Sequence, residues 1–113
     1  MDKSKYVVLV FMTATTDWLR LSRRERGEFT AQNISPILEK YAEKVTMRWL
    51  DAEAFTARCS DIALFETSDL VQYYFLMEEL RDTAFFSQPY FRLEDVVISL
   101  EEGYQEFEAA QKS

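Results

Sequence analysis

Tyr6-Val7-Val8-Leu9-Val10-Phe11-Met12-Thr13-Ala14 is the stretch that decides the fold. It is rich in β-branched and aromatic residues, short for a helix, and bounded by Thr15-Thr16-Asp17, so it reads as a strand. Alternation sends Tyr6, Val8, Val10 and Met12 to one side and Val7, Leu9 and Phe11 to the other. Both sets are apolar, whereas a half-exposed strand alternates apolar with polar residues. A sheet built on this strand therefore needs cover on both faces.

Downstream, Ser22-Arg23-Arg24-Glu25 is a capping box, in which serine and glutamate satisfy each other's backbone amides and start a helix. Phe29, Asn33, Ile37 and Tyr41 then recur every four residues, with Ile34 and Leu38 beside them, which carries an apolar stripe to about Tyr41. Pro36 lacks an amide donor and crowds the preceding turn, so it must kink or divide that helix. Val45–Leu50 and Asp61–Thr67 read as a second and third strand, antiparallel and joined by residues 51–60. Thr67, Ser68 and Asp69 are good N-cap residues before a helix over Leu70–Arg81, ending near Thr83. A loop through Gln88-Pro89 leads to a fourth strand, Tyr90–Leu100, and residues 101–113 form a polar tail with room for a short helix.

The order is βαββαβ, the ferredoxin-like α+β plan, with two helices over one face of a four-stranded antiparallel sheet. Exposing about ten apolar side chains on the other face, at roughly 1.5–3 kcal/mol each, would forfeit some 15–30 kcal/mol of gross transfer energy. A second copy is the economical cover, which gives a two-fold dimeric α+β barrel. The 113 residues suit one domain, with its core over about residues 6–100.

Composition removes whole classes of function. Thirteen basic against twenty acidic side chains leave a net charge of −7, so nucleic acid is not an expected partner. The chain has no histidine, which removes the commonest general base, zinc ligand and proximal haem ligand. Cys59 is the single cysteine, so no intrachain disulfide or multi-thiolate metal site can form, and a reducing, cytoplasmic location is the simpler reading. Lys3 and Lys5 before the first apolar run imitate a signal peptide, but no small-residue cleavage site follows. That run is also far short of the ~18–20 residues that span a bilayer, so no membrane partner is expected. Asn33-Ile34-Ser35 matches a glycosylation acceptor by letter only, since Pro36 follows it.

Three further blocks, Trp49-Leu50-Asp51-Ala52-Glu53-Ala54-Phe55-Thr56-Ala57-Arg58-Cys59-Ser60-Asp61, Tyr73–Thr83 and Phe85–Phe91, together resemble the darcynin family of small bacterial proteins. The resemblance covers about residues 6–105 and implies a ferredoxin-like fold. It carries no activity, cofactor or catalytic residue. More distantly, the plan is similar to dimeric α+β barrels such as cofactor-free quinol monooxygenases, polyketide cyclases and chlorite dismutases, an analogy of fold alone.

Several polar groups remain as candidates. Asn33 sits on the apolar stripe, where it either orients a ligand or satisfies backbone groups released near Pro36. Trp49 alternates with Arg48 on the second strand and is either core or pocket wall. Asp51, Glu53, Arg58, Asp61 and Glu66 gather around the hairpin connection, as a surface ion-pair set or as carboxylates that raise one another's pKa into a general acid or base. The second helix is apolar around more than one stripe; Tyr73 and Tyr74 either complete a core or line a cavity, and Arg81 either meets a ligand carboxylate or pairs with Glu78. Cys59 reads as a small apolar filler. No calcium-loop spacing is present, so no metal and no cofactor are expected. The candidate ligand site is thus Asn33, Trp49, Asp51, Glu53, Tyr73, Tyr74 and Arg81. It would serve a small apolar or aromatic ligand, with a cofactor-independent monooxygenase- or cyclase-like reaction, or else the chain is a non-catalytic homodimeric structural or interaction module.

Overall fold

The computed structural model describes residues 4–112; Lys3, part of the leader-like start, lies outside them. β1 (Tyr6–Ala14), β2 (Val45–Asp51), β3 (Asp61–Thr67) and β4 (Phe91–Leu100) form one sheet in the order β2-β3-β1-β4. Every neighbouring pair is antiparallel, so β1 lies at the centre between β3 and β4. This is the ferredoxin-like topology. β1 and β3 have the bounds their apolar runs predict; β2 runs one residue further, to Asp51, and β4 begins one later, at Phe91.

The first helical layer is less regular than its sequence period suggests. After a single turn, α1 (Thr16–Leu19), the capping box forms as expected, with Ser22 N–H on Glu25 at 2.8 Å and Glu25 N–H on Ser22 at 3.1 Å. It opens α2 (Arg23–Phe29), which passes into a π-helical segment, Thr30–Ile34, and then into α3 (Ser35–Lys40). Pro36 is the second residue of α3, where its missing amide costs little. The proline divides the helix as predicted, and the widened turn just before it is the form that division takes.

α4 (Leu70–Arg81) matches its predicted bounds, and the Asp69 side chain caps it by accepting from the amides of Val71 and Gln72. Tyr73, Leu76, Met77 and Leu80 are its buried residues, spaced as one helical face. They pack with Val8, Val10 and Met12 of β1, and with Ala63 and Phe65 of β3, into the core. A further turn, α5 (Ala84–Ser87), capped by Thr83, occupies part of the stretch read as loop, and it buries Phe85. The polar tail contains a ten-residue helix, α6 (Gly103–Lys112), with no buried residue. Among the described residues no helix is long and apolar enough to cross a membrane.

The helices cover one face only. The registers place Val7, Leu9 and Phe11 of β1, Ile62 and Leu64 of β3, Leu50 of β2 and Val97 of β4 on the other. Polar groups frame them: Glu66 on this face lies 3.4 Å from Lys5 and 3.8 Å from Arg48.

Candidate functional site

A cavity of about 510 Å³ opens between the helical layer and one end of the sheet. Its walls follow from the topology. β2 contributes Met47, Trp49 and Asp51 from alternate positions, and the connection after β2 adds Glu53. Asp61 of β3 and Ala14 of β1 complete the sheet side, and Phe91 of β4 and Phe85 of α5 close the apolar end. Trp18, Leu19, Arg26, Thr30, Ile34 and Leu38 come from the helical layer. Thr30 and Ile34 are the two ends of the π segment, a conformation that often marks functional positions.

Aromatic rings dominate the interior. Trp49 meets Phe85 and Phe91 edge-on, with centroids 6.1 and 5.5 Å apart, and Trp18 lies 5.0 Å from Phe91. Both tryptophans of the chain therefore face the same space. Arg26 stacks on the outer wall, its guanidinium 5.7 Å from the Trp18 ring, while its nitrogens donate to the carbonyls of Trp18 and Leu19 at 3.2 and 3.1 Å.

The polar end is set by strand register. Asp51 is paired directly with Asp61 across β2 and β3, which puts two carboxylates on the helix-covered face at the same level. Such like-charge pairs cost stability. Glu53 joins them, and the carboxylate oxygens of Asp51, Glu53 and Asp61 lie within 4.8 Å of one another. Asp61 is buried and held on both oxygens, by Trp49 Nε1–H at 2.9 Å and by Ser60 Oγ–H at 2.6 Å. Burial pushes its pKa above the ordinary aspartate value; the Ser60 and Trp49 hydrogen bonds pull it back in part, and Asp51 and Glu53 raise it again. An acid raised in this way holds its proton to higher pH than an ordinary aspartate, which suits it to proton transfer.

Trp49, Asp51 and Glu53 of the sequence-derived set meet in this cavity, whereas the other four residues lie elsewhere. Asn33 is absent from the cavity lining; its amide donates to the Phe29 carbonyl at 3.2 Å. The Phe29 carbonyl ends α2 just before the π segment, so the amide is bonded to the backbone of its own helix. Tyr73 is buried against Phe65, 5.4 Å between centroids, and Tyr74 is exposed on another side of α4. Arg81 lies on the surface near Phe86 and Arg92. From the hairpin cluster, Glu66 is at the far end of β3 on the open face, and Arg58 sits beside Phe11, Cys59 and Asp95. Cys59 is buried with a free thiol. Trp18, Arg26, Phe85 and Phe91 were not foreseen as lining residues; an aromatic residue isolated between a strand and a capped helix was the one available signal, for Trp18.

The geometry defines a ferredoxin-like domain with an aromatic, carboxylate-ended cavity under its first helical layer. The chain belongs to the darcynin family: the family described as "Darcynin, domain of unknown function" matches residues 3–111. It is similar to Darcynin 1 of Acinetobacter baumannii, 45% identical over 91 residues, which are 80% of this chain and all of that protein. Among solved structures it is similar to a heme-binding protein from Thermus thermophilus, with a TM-score of 0.76 and 21% identity over 95% of this chain and 45% of that one. Chlorite dismutase from Candidatus Nitrospira defluvii aligns with a TM-score of 0.74 and 10% identity over 88% of this chain. The chain spans about two fifths of the length of these structural neighbours, 45% and 41%, and at such identities the likeness shows the fold.

Proposed function

We propose that this protein binds a small, largely apolar or aromatic molecule in the cavity beneath the π segment, and that Asp61 holds or moves a proton on it without a cofactor. The observation that carries the reading is the coincidence, in one space of about 510 Å³, of an aromatic interior with a buried carboxyl group whose pKa is raised. Trp49 supports both halves, since its ring forms wall and its N–H fixes an oxygen of Asp61.

Haem does not fit these residues. The cavity lining contains no histidine, cysteine or tyrosine to ligate iron, with Met47 its single soft donor, and its acidic groups, Asp51, Glu53 and Asp61, carry the same sign as haem propionates and outnumber its one cation, Arg26. The proposed proton transfer at Asp61 is a step that needs no redox group, and the free thiol of Cys59 is compatible with a reducing, cytoplasmic setting.

A second reading, a homodimer packed through the open sheet face, rests on a separate observation. Val7, Leu9, Phe11, Ile62 and Leu64 form a contiguous apolar centre there, with Glu66, Lys5 and Arg48 at its margin. Four strands about 4.8 Å apart and some seven residues of about 3.3 Å each make a plate of roughly 19 by 23 Å. That is about 440 Å² in projection, roughly half of the ~800 Å² each partner contributes to a standard interface before the relief of the side chains is added. The two readings are compatible.

Native mass spectrometry of gently purified protein tests the first. A chain of 13.4 kDa carrying one small molecule per copy is expected, and Thr30→Phe, which puts a ring into the cavity from the π segment, should weaken its retention. A bare mass, together with no change in tryptophan emission on adding apolar aromatic probes, would refute the binding reading.

A further inference from the structure

Asp51 and Glu53 have no ion-pair partner among the described residues, although their oxygens crowd those of Asp61 at the cavity's polar end. The cation lining the same cavity, Arg26, is committed to the Trp18 and Leu19 carbonyls and to the Trp18 ring. It does not neutralise the carboxylates. A ligand that filled only the aromatic part would leave three acidic groups facing an apolar body. Their crowding would then become more costly as water is displaced. A ligand bringing its own positive charge reverses that balance. The surrounding rings favour the same charge, because the faces of indole and phenyl groups attract cations. The net charge of −7 would also draw a cation toward the protein.

We propose that the cavity recognises an organic cation: an amine protonated at neutral pH, carried on an aromatic or apolar body. The amine sits at the Asp51–Glu53–Asp61 end and the body among Trp18, Trp49, Phe85 and Phe91. This inference rests on the binding reading above and adds the charge of the ligand to it. A bare divalent ion fits less well, because Asp61 already accepts from Trp49 and Ser60 and a hard cation needs six or more oxygen ligands.

The full chain carries its own reporter, since both tryptophans line the cavity. Titrations excited at 295 nm with 2-phenylethylamine, 2-phenylethanol and 3-phenylpropanoate vary charge on nearly constant bodies. The amine is expected to bind at least tenfold more tightly than the alcohol, and the carboxylate not at all. Asp51→Asn combined with Glu53→Gln should abolish the preference for amine over alcohol while the alcohol still binds. These two side chains are exposed, so circular dichroism should show the double variant folded. The charge series on the unaltered protein stands whether or not the variant folds. Equal binding of alcohol and amine, or a response to magnesium or calcium but not to the amine, would overturn the inference and leave the aromatic cavity standing. Silence with every aromatic probe would overturn both.

Discussion

The two faces of the sheet are built from the same strand with the same kinds of residue, yet they have different fates. Val8, Val10 and Met12 are 0%, 1% and 1% exposed beneath the helices. Val7, Leu9 and Phe11, their immediate neighbours in sequence, are only half-buried, sheltered by one another rather than by a second layer. Apolar character marks a residue that needs cover without saying what supplies it. On one face the chain supplies α4 and the divided first helix; on the other a second copy is the proposed cover.

The largest expected effect belongs to the covered face. Leu76 is fully buried, and Leu76→Ala should cost about 2–5 kcal/mol through lost burial and the cavity left behind, read as a lower midpoint in urea. Leu9→Glu probes the opposite face. It is expected to change a dimer of twice 13.4 kDa into a 13.4 kDa monomer in sedimentation velocity, with far-ultraviolet circular dichroism unchanged. An unaltered protein that sediments as a monomer would show that this face needs no partner.

Smaller effects come from the helical layer and the cavity it leaves. Asn33→Leu removes the donor to the Phe29 carbonyl in a partly buried site and should destabilise by about 1 kcal/mol. Unchanged stability would mean water replaces the amide. Asp61→Asn is expected to have the smallest effect at low pH. The folded state binds the Asp61 proton more tightly than the unfolded state does, so its favourable contribution is present at low pH and lost as pH rises through the folded value. The variant, which cannot ionise there, should therefore gain stability relative to the unaltered protein between pH 4 and pH 7. A constant difference across that range would show that Asp61 titrates normally.

Where sequence and structure agree, the signal is local. β1, β3 and α4 have the predicted ends because alternation, the four-residue period and the Asp69 cap are each contained in the segment itself. The stripe through Phe29, Asn33 and Ile37 failed for a local reason that its period concealed. The π segment adds a residue to one turn, so Ile34, five positions after Phe29, is buried and lines the cavity in the place that four-residue arithmetic assigned to Asn33. Tyr73 and Tyr74 could not share a pocket, since successive helical residues point about 100° apart. Arg81 sits in the last turn of α4, at the same end of the sheet as the carboxylates, but it faces a separate surface hollow with Phe86 and Arg92 and does not line their cavity.

The sequence by itself determined the element order, the antiparallel ferredoxin-like plan and the excess of apolar surface on β1, because each is a pattern along the chain. It also brought Asp51 close to Asp61, since a hairpin between the second and third strands pairs their ends. Only the tertiary structure decided that this acidic pair would close an aromatic cavity. Trp18, Phe85 and Phe91 come from a one-turn helix, another one-turn helix and an edge strand, 67 residues apart between Trp18 and Phe85. Convergence of that kind depends on how the layers pack, and no period in the chain encodes it.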